Sequence, residues 1–158
     1  MIVDLKTLKK ILKSLRKENK KIVFTNGCFD LIHAGHIELL KKAKKKGDVL
    51  IVGLNSDSSI KKIKGDKRPI VNEKDRAKIL DSIKYVDYVI FFNEKTPYRL
   101  IKEIKPDVLV KGADYKIDEV VGGDIVLKRG GEVFLVPLVK GKSTSNLIKK
   151  ILSLYARD

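Results

Sequence analysis

Two histidines, the only ones in the chain, stand three residues apart around a glycine in His33-Ala34-Gly35-His36. Just before them come Gly27-Cys28-Phe29-Asp30. The short apolar run Ile22-Val23-Phe24 reads as a buried strand, broken at Asn26-Gly27. Ile37, Leu40 and Ala43 then follow at helical spacing, with lysines on the other side. The histidines therefore fall where a helix begins. A helix start offers unpaired backbone N–H groups and the positive end of the dipole, a natural seat for phosphate. Gly35 lets a phosphate approach the backbone, and the imidazoles add donors. A metal site with Cys28 as third ligand is the competing chemistry, but two-histidine helical pairs are usually spaced i, i+4 on one face. Two ordinary surface histidines are the bland reading. Phosphate binding explains the glycine as well as the histidines, and no metal site is expected.

A second group of polar residues opens the last helix, Gly141-Lys142-Ser143-Thr144-Ser145-Asn146, ahead of Leu147, Ile148 and Ile151. Capping needs one hydroxyl and this segment has three, so it reads as a second anion-binding element. Lys111-Gly112-Ala113-Asp114-Tyr115 follows a strand over 107–110, at the end of a parallel strand where ligands bind. Between them in function is the basic stretch 61–69, KKIKGDKRP, read as a polar loop that is either a lid or a solvated connection.

The elements that must position these groups alternate. Residues 4–19 carry Leu5, Leu8, Ile11, Leu12 and Leu15 on one helical face, with Asp4 as cap, and are expected to pack on the domain. Strands are expected at 49–54, 86–92, 107–110 and 132–138. A helix over 72–84 has Asn72 as cap, and Ala77, Leu80 and Ile83 inward. Another starts with Thr96 as cap and Pro97 in its first position. A further helix lies within 117–129, closed by Gly130-Gly131. Asp57 is read either as a cap or as a contact to a substrate hydroxyl, and Arg76 has no assigned role. This order predicts an α/β fold, one Rossmann-like doubly wound parallel sheet of about five strands, over a single domain of residues 1–158.

Composition narrows the partners. The net charge of +15 would suit nucleic acid, but the lysines are spread over every helix. Aromatics make up 6% with no tryptophan, too few for a stacking surface. An anionic small molecule is the better fit, and a lysine-rich surface also suits high temperature. No apolar stretch approaches a membrane span. The start MIVDLKTLKK lacks the apolar core of a secretory signal, and one cysteine forms no internal disulfide, so a cytoplasmic location is expected.

The paired motifs Gly27–Asp30 and His33–His36 resemble the G-x-[FY]-D…H-x-G-H signature of the cytidylyltransferase-like nucleotidyltransferases. TNGCFDLIHAGH at 25–36, GLNSD at 53–57, KKIKGDKRP at 61–69, TPYRLI at 96–101, PDVLVKGADY at 106–115 and GKSTSN at 141–146 together are similar to the adenylyltransferase domain of ADP-heptose synthesis, in a form without the fused sugar kinase. Two positions depart from that pattern: Ala113 where a second glycine is usual, and Ser145 in place of a second threonine.

The resemblance implies transfer of AMP from ATP, with Mg²⁺, to a heptose 1-phosphate. His33, His36 and Lys64 would be catalytic. Gly27, Cys28, Phe29, Gly35, Lys61, Gly112, Asp114, Ser143 and Thr144 would bind nucleotide. A homo-oligomer and a separate sugar kinase in the same pathway are the implied partners, with neither nucleic acid nor membrane. Alternatives are a related cytidylyltransferase or FAD synthetase, or a non-catalytic nucleotide-binding module. A class I aminoacyl-tRNA synthetase shares H-x-G-H, but this chain is too short for one.

Overall fold

The computed structural model describes residues 1–156. Five strands form one all-parallel sheet: β1 (Ile22–Gly27), β2 (Val49–Asn55), β3 (Tyr88–Phe92), β4 (Val108–Gly112) and β5 (Glu132–Val136). Their order is β3-β2-β1-β4-β5. The chain thus winds outward from β1 on one side, then returns to start the other half at β4. The reversal lies between β1 and β4, where open α/β sheets leave a crevice at the strands' C-terminal ends.

Alternate residues of each central strand enter opposite cores, as a sheet covered on both faces requires. Phe24 and Ile51 pack with Leu8 and Leu12 of α1 (Leu5–Lys17) and Ile101 and Ile104 of α5 (Tyr98–Ile104). Val23, Leu50 and Val52 pack with Leu40 and Ala43 of α2 (Ala34–Lys44) and Ala77 and Leu80 of α4 (Glu73–Asp81). Asp4 caps α1 through Thr7 N–H at 2.6 Å, as its position predicts. The first residues run parallel to β3, with Val3 N–H donating to Val89 O at 2.9 Å, so this segment covers that edge of the sheet.

Several boundaries differ from expectation. β1 continues through Asn26-Gly27 instead of breaking there, because it pairs β2 as far as Leu54. The first four residues of the basic stretch 61–69 are helical, while 65–69 form the expected loop. Ser56 caps a helix, α3 (Asp57–Lys64), that ends at Gly65 with φ of 88°. Its lysines hid the helix, since only Ser59 and Ile60 are buried. Pro97 sits one place earlier than predicted, as the cap of α5, and no side chain caps that helix. α4 stops at Asp81, β3 begins at Tyr88 and β5 ends at Val136, each shorter than the periodicity suggested. α6 (Gly123–Lys128) and α7 (Thr144–Tyr155) complete the chain.

Candidate active site

The loop from β1 to α2 carries the first motif. Phe29 holds φ of 46°, a left-handed turn that tucks its ring inward against His36, with centroids 5.2 Å apart. A Cβ on Gly27 would lie 3.0 Å from that ring, which leaves little space for any other residue at 27. Asp30 is buried at the loop's base. It accepts from Arg68 Nε at 2.7 Å, Ile70 N–H at 2.9 Å and Val71 N–H at 2.8 Å. Burial alone would raise its pKa, but the Val71 and Ile70 amides and the Arg68 guanidinium outweigh burial and hold it low. An ionised Asp30 thus fastens segment 68–71 over the motif.

Arg76 does the same from below. It is the largest fully buried side chain, 0% exposed. Its guanidinium donates to Cys28 O at 2.6 Å, Asn55 O at 2.8 Å, Val71 O at 2.9 Å and Asp57 Oδ1 at 2.8 Å. One cation therefore ties together the chain after β1, the end of β2 and the lead into α4. Asp57 is the partner of Arg76 and not the cap of α3, which is Ser56.

The two histidines form a reciprocal cap. His33 Nδ1 accepts from Gly35 N–H at 3.1 Å, and His36 Nδ1 accepts from His33 N–H at 3.3 Å. The Gly35 amide is therefore already engaged, a correction to the picture of a helix start with open N–H groups. The hydrogen bonds fix the tautomer instead: with Nδ1 an acceptor, each ring carries its proton on Nε2. The rings lie 3.9 Å apart between centroids. Burial, then the charge of Lys142, lowers the His33 pKa; burial, then His33, lowers that of His36 to about 4. At neutral pH both are neutral Nε2–H donors. Gly35 is needed for this, since a Cβ there would stand 2.9 Å from the His33 ring.

These rings face a cavity of about 340 Å³ at the sheet's reversal point. Cys28, Phe29, His33, Gly35, His36, Lys64, Gly112, Asp114, Ser143 and Thr144, all expected from sequence, lie on its wall. Gly27 lines a neighbouring cavity, and Lys61 lies on a separate depression beside Asn72 and Glu73. Arg68, Lys142 and the apolar Val136–Val139 wall also line the site and were not singled out. The two lysine and arginine additions were visible only as basic residues inside noted motifs.

Ser143 caps α7 by accepting from Asn146 N–H at 3.0 Å. Thr144 Oγ1 donates to Leu31 O at 3.1 Å, joining α7 to the first motif loop. The Cys28 thiol is pushed up by burial, against the pull of Lys64 and Arg76, so it is no ready nucleophile. Among the described residues no three His, Cys, Asp or Glu side chains gather to hold a metal ion.

A family model described as Cytidylyltransferase-like matches residues 24–150. The chain belongs to that family. It is 52% identical over 157 residues to Bifunctional protein HldE of Geobacter metallireducens, covering 99% of this chain and 32% of that protein. It is 56% identical over 144 residues to Bifunctional protein HldE of Helicobacter pylori, covering 91% and 30%. The chain thus spans about a third of the length of the curated relatives it matches. A solved lipopolysaccharide core biosynthesis protein from Thermoplasma volcanium is 34% identical, with a TM-score of 0.62, covering 78% of this chain and 99% of that one. A pantoate-beta-alanine ligase from Francisella tularensis, 21% identical with a TM-score of 0.64 over 100% of this chain and 80% of that one, shares the fold. No described helix is long and apolar enough to cross a membrane.

Proposed function

We propose that the chain transfers AMP from ATP to a heptose 1-phosphate, giving ADP-heptose and pyrophosphate for lipopolysaccharide core synthesis. The observation that carries the reading is the pair of neutral imidazoles, both fixed as Nε2–H donors on one cavity with three cations, Lys64, Arg68 and Lys142. Nucleotidyl transfer needs little covalent help from protein. It needs in-line positioning and donors placed where charge develops.

In this reading an oxygen of the acceptor phosphate attacks the α-phosphorus of ATP. The new P–O bond forms as the bond to the β-phosphate oxygen breaks, and pyrophosphate departs with the electron pair. His36, held against Phe29 and His33, donates through Nε2 to the α-phosphate. His33 Nε2 and the Lys64 and Lys142 ammonium groups hold the β- and γ-phosphates. The apolar wall of Val136–Val139 shields the base, and Asp114 stands for the ribose or base beside Gly112.

Mg²⁺ fits as a companion of ATP, coordinated chiefly by phosphate and water, as this ion usually is. Asp30 is fully engaged, which leaves Asp114 as the carboxylate of the wall that would meet it. Bound there, Mg²⁺ would neutralise charge on the leaving pyrophosphate.

A cytoplasmic homo-oligomer working with a sugar kinase belongs to the same proposal. The relatives' description as bifunctional and their greater length support a second activity coupled to this one. The test is pyrophosphate release. It is expected with ATP, Mg²⁺ and heptose 1-phosphate together and with no two of them alone. Faster turnover with CTP and glycerol 3-phosphate would move the protein to another branch of the family.

A further inference from the structure

α7 opens on Thr144 and Ser145, two residues of the cavity wall, and carries an uncovered apolar stripe along its length. Leu147, Ile151 and Leu154 follow one another by four and then three residues, and so do Ile148, Leu152 and Tyr155. That is the seam spacing of helices that pair with other helices. Lys149, Lys150 and Ser153 fall on the opposite face. Among the described residues none of α7 is buried: Leu147, Ile151, Leu152, Leu154 and Tyr155 are 37%, 51%, 57%, 64% and 78% exposed. A helix of 12 residues is marginal in water unless such a face is packed. The stripe therefore calls for a surface from outside this copy. Charge selects which. Copies of a chain with net charge +15 repel wherever their lysines meet. The stripe carries no charge and the α7 lysines point away from it, so two copies can join there. The five exposures equal about three whole side chains, roughly 600 Å² per copy at ~200 Å² for a large side chain. That is most of the ~800 Å² per partner in a standard interface. A bilayer suits the stripe less well, because α7 has neither tryptophan nor phenylalanine to anchor it among headgroups.

We infer that two copies of the chain pair through the apolar faces of α7, and that this pairing sets the Ser143–Thr144 turn against each copy's own cavity. Within one copy that turn is held chiefly by the Thr144 bond to Leu31 O and the Ser143 cap. Pairing supplies the apolar anchor that the core gives to α2. The nucleotide site is then fully formed only in the dimer. The inference rests on the nucleotide reading above and adds a regulation of that site. ATP affinity follows association, so dilution weakens it, and by reciprocity ATP tightens the dimer.

Sedimentation velocity and calorimetric titration with ATP test it on the full chain, using wild type, Ile151→Lys, Leu154→Lys and Ser153→Lys. Lysine is a good helix former and suits the C-terminal half of a helix, so these changes alter a face of α7 and not the helix itself. Wild type should sediment as a dimer. Ile151→Lys and Leu154→Lys should sediment as monomers and bind ATP about 10-fold more weakly, as when the unpaired turn is competent in about a tenth of molecules. Ser153→Lys adds the same charge on the opposite face and should match wild type in both measurements. Wild type titrated at falling protein concentration needs no variant: its ATP affinity should weaken as the dimer dissociates. A monomeric wild type, a dimer that survives both stripe variants, or a monomeric variant with wild-type ATP affinity overturns the inference. So does a wild-type monomer that binds phosphatidylglycerol vesicles through Ile151, which would give the stripe to a membrane surface. A dimer that depends on Ile151 and binds no ATP would overturn the coupling together with the nucleotide reading. ATP binding that follows the dimer, without pyrophosphate release, would overturn the transferase reaction and leave this inference standing.

Discussion

Two helices bring their N-termini to the cavity that the histidines face, and they are held there in opposite ways. α2 starts at the His33 cap and runs back over the sheet, burying Leu40 and Ala43. α7 starts at the Ser143 cap and buries no residue at all; Ile151, Leu152 and Leu154 are 51%, 57% and 64% exposed. The first is positioned by the hydrophobic core. The second is tied near the site by polar contacts of its opening turn, chiefly Thr144 to Leu31 O. The core-anchored side therefore holds the His33–His36 turn in a fixed geometry. The α7 side has no such anchor in the core.

The largest expected effect is on the anchored side. Arg76→Met would leave the Cys28 and Asn55 carbonyls and Asp57 without their donor. Removing one partner of a buried ion pair costs about 3–5 kcal/mol. Urea denaturation should show a loss of that order. A loss of only about 0–1 kcal/mol, as for a surface pair, would show that the motif loop does not depend on this arginine.

His36→Ala sharpens the contrast within α2 itself. Its imidazole lies on the cavity wall, while the helix is held by residues further along. The variant should stay folded, still bind ATP, and lose about 10²–10³ in kcat, the usual result of removing one preorganised donor. KM for ATP should change little, because the contact strengthens in the transition state. Turnover near the wild-type rate would remove His36 from the catalytic role.

The same residue predicts a pH effect. Its folded-state pKa is depressed to about 4 by burial, then by His33, from an ordinary 6.5. The unfolded chain therefore takes up a proton first as pH falls. The stability this neutral ring permits is complete above about 6.5 and is lost progressively towards 4. Stability measured against pH for wild type and His36→Gln should diverge across that window, with the glutamine variant the flatter. Parallel curves would mean that His36 titrates normally and is not desolvated.

Much of this was legible in the residues because the signals were local. Strand, motif and helix start at 22–43 come from periodicity and from a glycine between two histidines. The alternation of elements implies the sheet and puts its loops on one edge. What was hidden depends on distant partners. Arg76 lies on an amphipathic helix, where a charged residue ordinarily faces solvent; its burial comes from carbonyls at 28, 55 and 71 meeting around it. Asp30 reads as one letter of a motif until the amides of 70 and 71 arrive from across the site. α3 was obscured for another reason: a short helix with lysines at 61, 62 and 64 has the composition of a loop. The reciprocal histidine cap at the α2 start was likewise unreadable, since it depends on ring orientation and not on spacing.

The smallest effect tests the polar attachment of α7. Ser143→Ala removes the cap on Asn146 N–H, which typically costs about 1 kcal/mol or less on an exposed helix. Thr144→Val removes the bond to Leu31 O and keeps the side chain's shape. If these bonds only cap a surface helix, the double variant should lose a little stability and keep its kinetics. If they fix the wall of the nucleotide cavity, KM for ATP should rise or kcat fall beyond what that stability loss explains. The second outcome is expected, because both residues line the cavity and one of them is bonded to the histidine loop. Thr144→Ser is the control. It keeps the hydroxyl that reaches Leu31, so it should retain wild-type KM even with the methyl gone. A Thr144→Ser variant as impaired as Thr144→Val would show that packing of the methyl, and not the tie to the motif loop, sets the position of α7.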